Sequence, residues 1–194
     1  MDTIHYLSIW EWESLLKQAS GRDRLVLLLL YDSGMRVGEL VTTRVDDIDF
    51  EHGFIRIQSS RCKTRSFRAS RISPYTLQVI KESIQPGQKW LFPGRSSGHL
   101  STKTIQRILD RLAQAAGIQE VGLRKKLSRK RVTPHSLRHS HIVSALMAGV
   151  PLPMIQQQVG HKCLASTQVY ATVAPTLVQE AYTRYGFDPV TLKH

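Results

Sequence analysis

Apolar residues in the first forty positions recur mostly at the spacing of helices. Ser8 and Glu11 form a capping-box pattern, which predicts a helix over residues 9–19. The solid apolar run inside residues 24–31 predicts a second helix that is buried on all sides. After a turn at Gly34, the sequence predicts a short helix that carries Arg36, Glu39 and Leu40.

Later in the chain, start and stop signals bound four more helices. These signals are a serine or threonine N-cap, proline at the first helical position, and glycine after the last turn. They predict helices over residues 74–83, 102–116, 134–148 and 153–159. A further helix should begin near Ala165 and carry Tyr170, and the tail over residues 175–185 is amphipathic.

Alternating apolar and polar residues, the pattern of a half-buried strand, occur in one part of the chain. Residues 54–58 alternate in this way, and Val45, Ile48 and Phe50 precede the turn at residues 51–53. A third strand is predicted over residues 68–72. The predicted fold class is therefore mainly α with a small antiparallel β-sheet (α+β). No repeat or low-complexity linker interrupts the 194 residues, so we expect a single domain over 1–194.

Charge is distributed unevenly along the chain, which has a net charge of +12 and a pI near 10.1. Residues 1–51 carry ten acidic and five basic side chains, whereas residues 52–194 carry five acidic and 22 basic ones. A one-sided basic surface indicates a polyanionic partner. Nucleic acid is favoured over a membrane because no basic helix with a bulky apolar face is evident. Charge alone leaves open whether the protein is an enzyme or a passive DNA-binding domain.

The sequence shows no sign of a membrane span, of secretion or of a metal site. Its longest apolar run, residues 25–30, is too short to cross a bilayer, and the N-terminus lacks the regions of a signal peptide. Cys62 and Cys163 have no partners at zinc-ligand spacing, so two reduced thiols and no metal are expected. These features predict a cytoplasmic protein.

His135 and Arg138 are the first candidates for chemistry. Their i, i+3 spacing places both in the first turn of one helix face, where free N–H groups and the helix dipole favour an anion. His161 follows Arg138 by 23 residues, and Tyr170 follows His161 by nine. The pattern indicates a phosphate site, although an HxxR pair alone is also common on ordinary surfaces.

Four motifs, SGMRVGEL, HSLRHS, VGHK and STQVYATVAP, resemble in order and spacing those of the tyrosine recombinases of the phage-integrase family. The resemblance covers about residues 10–185. It implies the family's catalytic-domain fold and a site-specific recombinase that cleaves and rejoins DNA through a 3′-phosphotyrosyl intermediate. By the same resemblance, Arg36 and Arg138 bind the scissile phosphate and Tyr170 is the nucleophile. His135 and His161 exchange protons, and no metal ion or other cofactor is implied.

The family's hairpin lysine has two possible registers in the segment SSRCKTRSFRASRIS. Lys63, in a Lys-Thr pair, resembles one version of the family hairpin, whereas a gapless register places Ser60 there, beside Arg61. We favour Lys63, because an arginine stays charged in proteins and cannot donate its proton. The resemblance gives this lysine the task of protonating the leaving 5′-oxygen.

Basic side chains near the hairpin and before the HSLRHS motif are predicted to contact DNA phosphates. Six of the ten residues 122–131 are cationic, and the hairpin segment is similarly basic. The predicted DNA-binding residues are Arg61, Arg65, Arg68, Arg124, Lys125, Lys126, Arg129, Lys130 and Arg131.

The resemblance also implies an assembly on double-stranded DNA. It implies a homotetramer on paired sites that exchanges strands through a Holliday junction, with accessory DNA-bending proteins and association with the nucleoid. The amphipathic tail resembles a segment that docks onto a neighbouring subunit, although packing on its own domain stays open.

The family's N-terminal core-binding domain has no counterpart here, so the chain is either a fragment or resembles the short fimbrial-switch invertases. Two functions are alternatives to site-specific recombination: DNA relaxation by a type IB topoisomerase, and DNA binding by a non-catalytic regulator on this fold.

Several other residues are expected to have structural roles. Glu39 should orient the Arg36 guanidinium. His139 and His141 are expected to face away from His135. Three tryptophans are expected to pack in the core, namely Trp10, Trp12 and Trp90.

Overall fold

The computed structural model describes residues 5–58, 67–95, 98–118 and 131–160. Within these ranges the chain forms seven α-helices and three strands. The helices are α1 Ile9–Gln18, α2 Gly21–Ser33, α3 Val37–Val41, α4 Pro74–Ser83, α5 Thr102–Ala115, α6 Pro134–Met147 and α7 Leu152–Val159. The strands are β1 Ile48–Asp49, β2 Phe54–Gln58 and β3 Phe67–Arg71. The predicted fold class, mainly helical with a small antiparallel sheet, is confirmed.

Helix α1 begins at the predicted capping box. The Ser8 N–H donates to Glu11 Oε2 at 2.7 Å, and the Glu11 N–H donates to Ser8 Oγ at 3.4 Å. These two bonds satisfy backbone donors that the first turn of a helix leaves without partners.

Helix α2 lies at the centre of the fold. All six residues from 25 to 30 are buried, and the helix packs against α3, α4, α5, α6 and β3. A helix that is apolar on every side needs neighbours on every side, which explains this central place. Because α2 is fixed along its length, the turn at its C-terminal end is held rigidly.

That turn contains Gly34, which has a φ of 61°. A Cβ added at Gly34 would lie 2.6 Å from Cδ2 of His141 in α6 and 2.8 Å from Cγ1 of Val159 in α7. Both the left-handed backbone and the close approach of two helices therefore require glycine at this position. The turn brings the C-terminal end of α2 against α6 and α7.

The sheet has the order β1-β2-β3, with antiparallel pairing throughout. Strand β1 is shorter than the pattern predicted, because Val45–Asp47 forms a 3-10 turn. The Asp47 carboxylate accepts a hydrogen bond from the Arg44 N–H at 2.9 Å, a local capping bond that competes with strand pairing. Strand β3 packs against α7.

The expectation that all three tryptophans pack in the core is wrong for Trp10, which is 60% exposed, and for Trp90, which is half-buried and does not belong to the core. Helix α1 buries the side that carries Glu11 and Leu15, and Trp10 lies outside that side. Trp12 stacks on Tyr31 with ring centroids 4.1 Å apart, at the edge of the core. In the described ranges, no helix has both the length and the apolar character to cross a membrane.

Candidate active site

Helix α6 starts at Thr133, as the sequence predicted. The Ser136 N–H donates to Thr133 Oγ1 at 3.0 Å, and Pro134 occupies the first helical position. This start places His135 in the first turn and Arg138 one turn later on the same side. Local capping therefore sets the helix positions of these two residues and the side of α6 on which they lie.

Arg138 is buried, with 3% of its surface exposed. Its Nη1 donates to the carbonyl oxygen of Gly34 at 2.6 Å. This bond joins α6 to the turn that ends α2, two residues before Arg36. Burial and this bond together fix the position of the guanidinium beside the turn at Gly34.

Arg36 lies at the start of α3 with its side chain 52% exposed. Its backbone N–H donates to Glu39 Oε2 at 2.7 Å, and its Nη1 donates to Glu39 Oε1 at 3.3 Å. Its Nη2 donates to the carbonyl oxygen of Gly160 at 3.4 Å. The prediction that Glu39 orients Arg36 is confirmed, and Gly160, at the end of α7, lies against the same guanidinium.

His135 shares its electrostatic environment with both arginines. Partial burial, and then the charges of Arg138 and Arg36, lower the pKa of His135 below its usual value. A histidine that stays neutral near pH 7 has a ring nitrogen that can accept a proton. The described part of the chain therefore brings three of the predicted site residues, Arg36, His135 and Arg138, near one another.

Two of the predicted DNA-binding residues lie in the described ranges, and both make ion pairs. Arg131 is exposed, and its Nη2 donates to Asp110 Oδ2 at 2.9 Å. Arg68 in β3 is largely buried, and its two Nη atoms donate to the two carboxylate oxygens of Glu39. No local pattern indicates this second pair, because its members lie 29 positions apart in the chain.

The sequence profile of the Phage integrase family matches residues 6–176. The chain belongs to the phage integrase family, whose members are tyrosine recombinases. The tyrosine recombinase XerA of Pyrococcus furiosus is 35% identical over 169 residues, which are 84% of this chain and 54% of that protein. This chain spans about half the length of the curated relatives that it matches.

Solved structures of tyrosine recombinases have the same fold. The crystal structure of a XerA recombinase superposes with a TM-score of 0.75 at 28% identity, over 97% of this chain and 66% of that chain. The XerH site-specific recombinase, bound to a palindromic difH substrate in a post-cleavage complex, also gives a TM-score of 0.75, at 21% identity. That likeness covers 96% of this chain and 54% of the XerH chain, and it concerns the fold.

Other residues that the sequence predicts to act in catalysis or to bind DNA lie outside the described ranges. They are Lys63, His161, Tyr170, Arg61, Arg65, Arg124, Lys125, Lys126, Arg129 and Lys130, together with the tail over residues 175–185. In the part of the chain that the structure describes, no three His, Cys, Asp or Glu side chains are grouped so that they could hold a metal ion.

The expectation that His139 faces away from His135 is wrong. The two rings meet edge to face with centroids 4.6 Å apart, because residues four apart in a helix lie on the same side. Burial, and then the charges of His135 and Arg138, lower the pKa of His139 to about 4. His141 does point elsewhere, since its Nδ1 lies 2.8 Å from the Tyr31 carbonyl oxygen and therefore donates to it.

We expect the free energy of unfolding to fall as the pH decreases from about 6.5 to about 4. Because folding lowers the pKa of His139 to about 4 from an ordinary 6.5, the unfolded chain binds more protons in this window. The loss should be about 1–2 kcal/mol, less than the full shift implies, because the ring is only half-buried. Urea unfolding at several pH values measures it.

His139→Gln should remove this part of the pH dependence. The exposed His52, which pairs with Asp49, offers a matched control, since His52→Gln should leave the dependence near His139 intact. If the free energy of unfolding fell equally in the wild type and in His139→Gln as the pH decreased, the prediction would be wrong.

Proposed function

We propose that this chain is the catalytic domain of a site-specific DNA recombinase that cleaves and rejoins DNA through a 3′-phosphotyrosyl link to Tyr170. The observation that supports the proposal most strongly is the juxtaposition of Arg36, His135 and Arg138 around the first turns of α6. Membership of the phage integrase family and the order of the motifs through Tyr170 agree with it.

The arginines stabilise the charge that develops on the phosphate. Attack on a phosphodiester increases the negative charge on the two non-bridging oxygens, and hydrogen bonds from guanidinium groups strengthen as that charge grows. Arg138 is held by Gly34 and Arg36 by Glu39, so both donors are oriented before the DNA arrives. The chemistry then requires little reorganisation of the site.

Proton transfers complete the cleavage step. The Tyr170 oxygen forms a bond to phosphorus while the bond from phosphorus to the 5′-oxygen breaks. The phenol has a pKa of about 10, so its proton passes to a nearby base, for which His135 and His161 are the candidates. Lys63 gives a proton to the leaving 5′-oxygen. Attack by a 5′-hydroxyl on the phosphotyrosine reverses these transfers and reseals the strand, and ATP is not consumed.

The proposed partner is double-stranded DNA. The concentration of basic residues after position 51 supports it, and so does the DNA-bound state of the structurally similar XerH. By analogy with the family, we propose a homotetramer that joins paired sites through a Holliday junction, with accessory DNA-bending proteins and a place at the nucleoid.

Binding to DNA should depend steeply on salt. The basic segments 56–71 and 122–131 are proposed to follow the DNA backbone, and Arg131 at the end of the second is exposed. If about six phosphates are contacted, the affinity should fall roughly a thousandfold between about 50 and 200 mM salt. Fluorescence anisotropy with a labelled duplex measures this dependence, and an affinity that hardly changes with salt would contradict the assignment.

Product analysis tests the proposed function. On a suicide substrate with a labelled strand, the wild type should retain the label on the protein after denaturation. With two paired sites in one plasmid, the products should be recombined circles. Relaxed circles alone would indicate a topoisomerase of type IB, and DNA binding without any adduct would indicate a non-catalytic regulator.

A further inference from the structure

All three guanidinium nitrogens of Arg68 donate hydrogen bonds within the protein. Its side chain is 18% exposed, and its Nη1 and Nη2 donate to Glu39 Oε1 and Oε2, each at 2.9 Å. Its Nε donates to the carbonyl oxygen of Gln158 at 3.1 Å. A paired contact between a planar guanidinium and a carboxylate is geometrically specific and among the stronger hydrogen-bonded arrangements in proteins. Binding a DNA phosphate would require this pair to break.

The backbone at the end of α7 is shaped around the same guanidinium. A Cβ added at Gly160 would lie 2.9 Å from Arg68 Nε and 3.0 Å from its Cζ, and Gly160 has a φ of 71°. Arg68 therefore lies flat against the turn from which the chain continues to His161. The carbonyl oxygen of that same glycine accepts the bond from Arg36 Nη2.

Glu39 is the point at which Arg68 and Arg36 meet. Its side chain is 17% exposed, and it accepts bonds from the guanidinium of Arg68 and from both the backbone and the side chain of Arg36. Burial alone would raise the pKa of Glu39, but hydrogen bonds from Arg68 and then from the Arg36 backbone outweigh it and keep the pKa below its usual value. The carboxylate is therefore charged at neutral pH.

The distances show which arginine neutralises that charge. Arg68 holds both oxygens at 2.9 Å, whereas the side chain of Arg36 reaches one of them at 3.3 Å. Arg36 is therefore oriented by Glu39 without being fully paired to it, and its exposed guanidinium can still bind a phosphate. If Arg68 were absent, Arg36 would be the remaining cation at Glu39 among the described residues, and it would be drawn into the vacated pairing.

From this arrangement we infer that Arg68 is a positioning residue, which occupies Glu39 so that Arg36 stays available to the DNA phosphate. The inference rests on the proposed function. It replaces the sequence-based expectation that Arg68 itself contacts DNA.

Arg68→Met tests the inference, because methionine keeps much of the apolar stem beside Gly160 and removes the charge. At saturating DNA, the single-turnover rate of adduct formation should fall roughly tenfold to a hundredfold, the effect of a misplaced catalytic group. The half-saturating DNA concentration should change less than about threefold, and the salt slope should not change. Arg22→Met removes the same charge at the exposed start of α2 and should leave the rate unaltered.

Glu39→Gln in the Arg68→Met background separates positioning from simple structural damage. In this background Glu39→Gln removes the negative charge that would otherwise attract Arg36. Arg36 should then be available to the phosphate, so the double variant should cleave faster than Arg68→Met. A double variant as slow as Arg68→Met or slower would overturn the inference. So would an Arg68→Met protein that cleaves at the wild-type rate once saturated but binds DNA more weakly with a reduced salt slope, which is the behaviour of a phosphate contact.

A spectroscopic measurement makes the test independent of cleavage. The Arg36 Nε–Hε resonance, assigned by its absence in Arg36→Ala, should shift in Arg68→Met and move back in the double variant. A resonance that stays in place would overturn the inference even if no variant cleaved DNA. Failure of the proposed function would instead appear as a wild type that forms no adduct while this resonance still responds.

Discussion

Tyr170→Phe should abolish covalent attachment to DNA while leaving the fold and DNA affinity nearly unchanged. The substitution removes one oxygen and keeps the ring, so packing should be preserved, and the arginines that hold the phosphate are untouched. The chain reaches Tyr170 ten residues after Gly160, whose carbonyl oxygen lies 3.4 Å from Arg36 Nη2. A connection of ten residues is long enough to bring the proposed nucleophile to the phosphate site.

A nicked or suicide substrate with a labelled strand provides the measurement under denaturing conditions. Tyr182→Phe and Tyr185→Phe are matched controls from the same end of the chain, and both should still form the adduct. Retention of label by Tyr170→Phe, or a nucleotide found on a peptide that lacks Tyr170, would show that the nucleophile is another residue.

Arg36→Ala should reduce the rate of strand cleavage by about 10²–10³-fold, the usual effect of removing one preorganised donor to a developing negative charge. The fold should tolerate the change. The Arg36 side chain is 52% exposed, and Arg68 keeps Glu39 paired when Arg36 is gone. The free energy of unfolding, measured with urea, should therefore change by less than about 1 kcal/mol, which is typical of an exposed ion pair.

Arg22→Ala is the matched control for the loss of charge. Arg22 lies in the first turn of α2 and Arg36 lies three residues beyond its C-terminal end, and the helix between them is roughly 18 Å long. If Arg22→Ala slowed cleavage as much as Arg36→Ala, the effect would come from net charge rather than from a specific donor. Full cleavage by Arg36→Ala would remove Arg36 from the proposed mechanism.

The sequence was sufficient for those parts of the site that are set by local chemistry. The Thr133–Pro134 start of α6 fixes His135 and Arg138 through capping bonds within four residues, so a local pattern predicts them. Glu39 beside Arg36 is a contact of the same short range. The order of the family motifs predicts in addition that Tyr170 is the nucleophile, and this role remains a prediction.

What the sequence could not supply depends on contacts between distant segments. Nothing near Arg68 in the sequence indicates that it pairs with Glu39, 29 positions earlier, so its positive charge alone predicts a DNA contact. Residue type alone predicts that Trp10 lies in the core, whereas its helix buries the side that carries Glu11 and Leu15. The contact between His139 and His135, by contrast, follows from local spacing, because residues four apart in a helix lie on the same side.

The N-terminal segment is tied to α6. The Leu7 N–H donates to Ser140 Oγ at 2.7 Å, and the charge of His5 contributes to the low pKa of His139. Any peptide fused ahead of residue 5 would therefore start near His139, whose ring contacts that of His135 in the proposed site. On a short flexible linker its effective concentration there would be roughly millimolar, so an acidic tag would compete with the DNA phosphate as an intramolecular inhibitor. A neutral spacer between such a tag and residue 5 should lessen this inhibition.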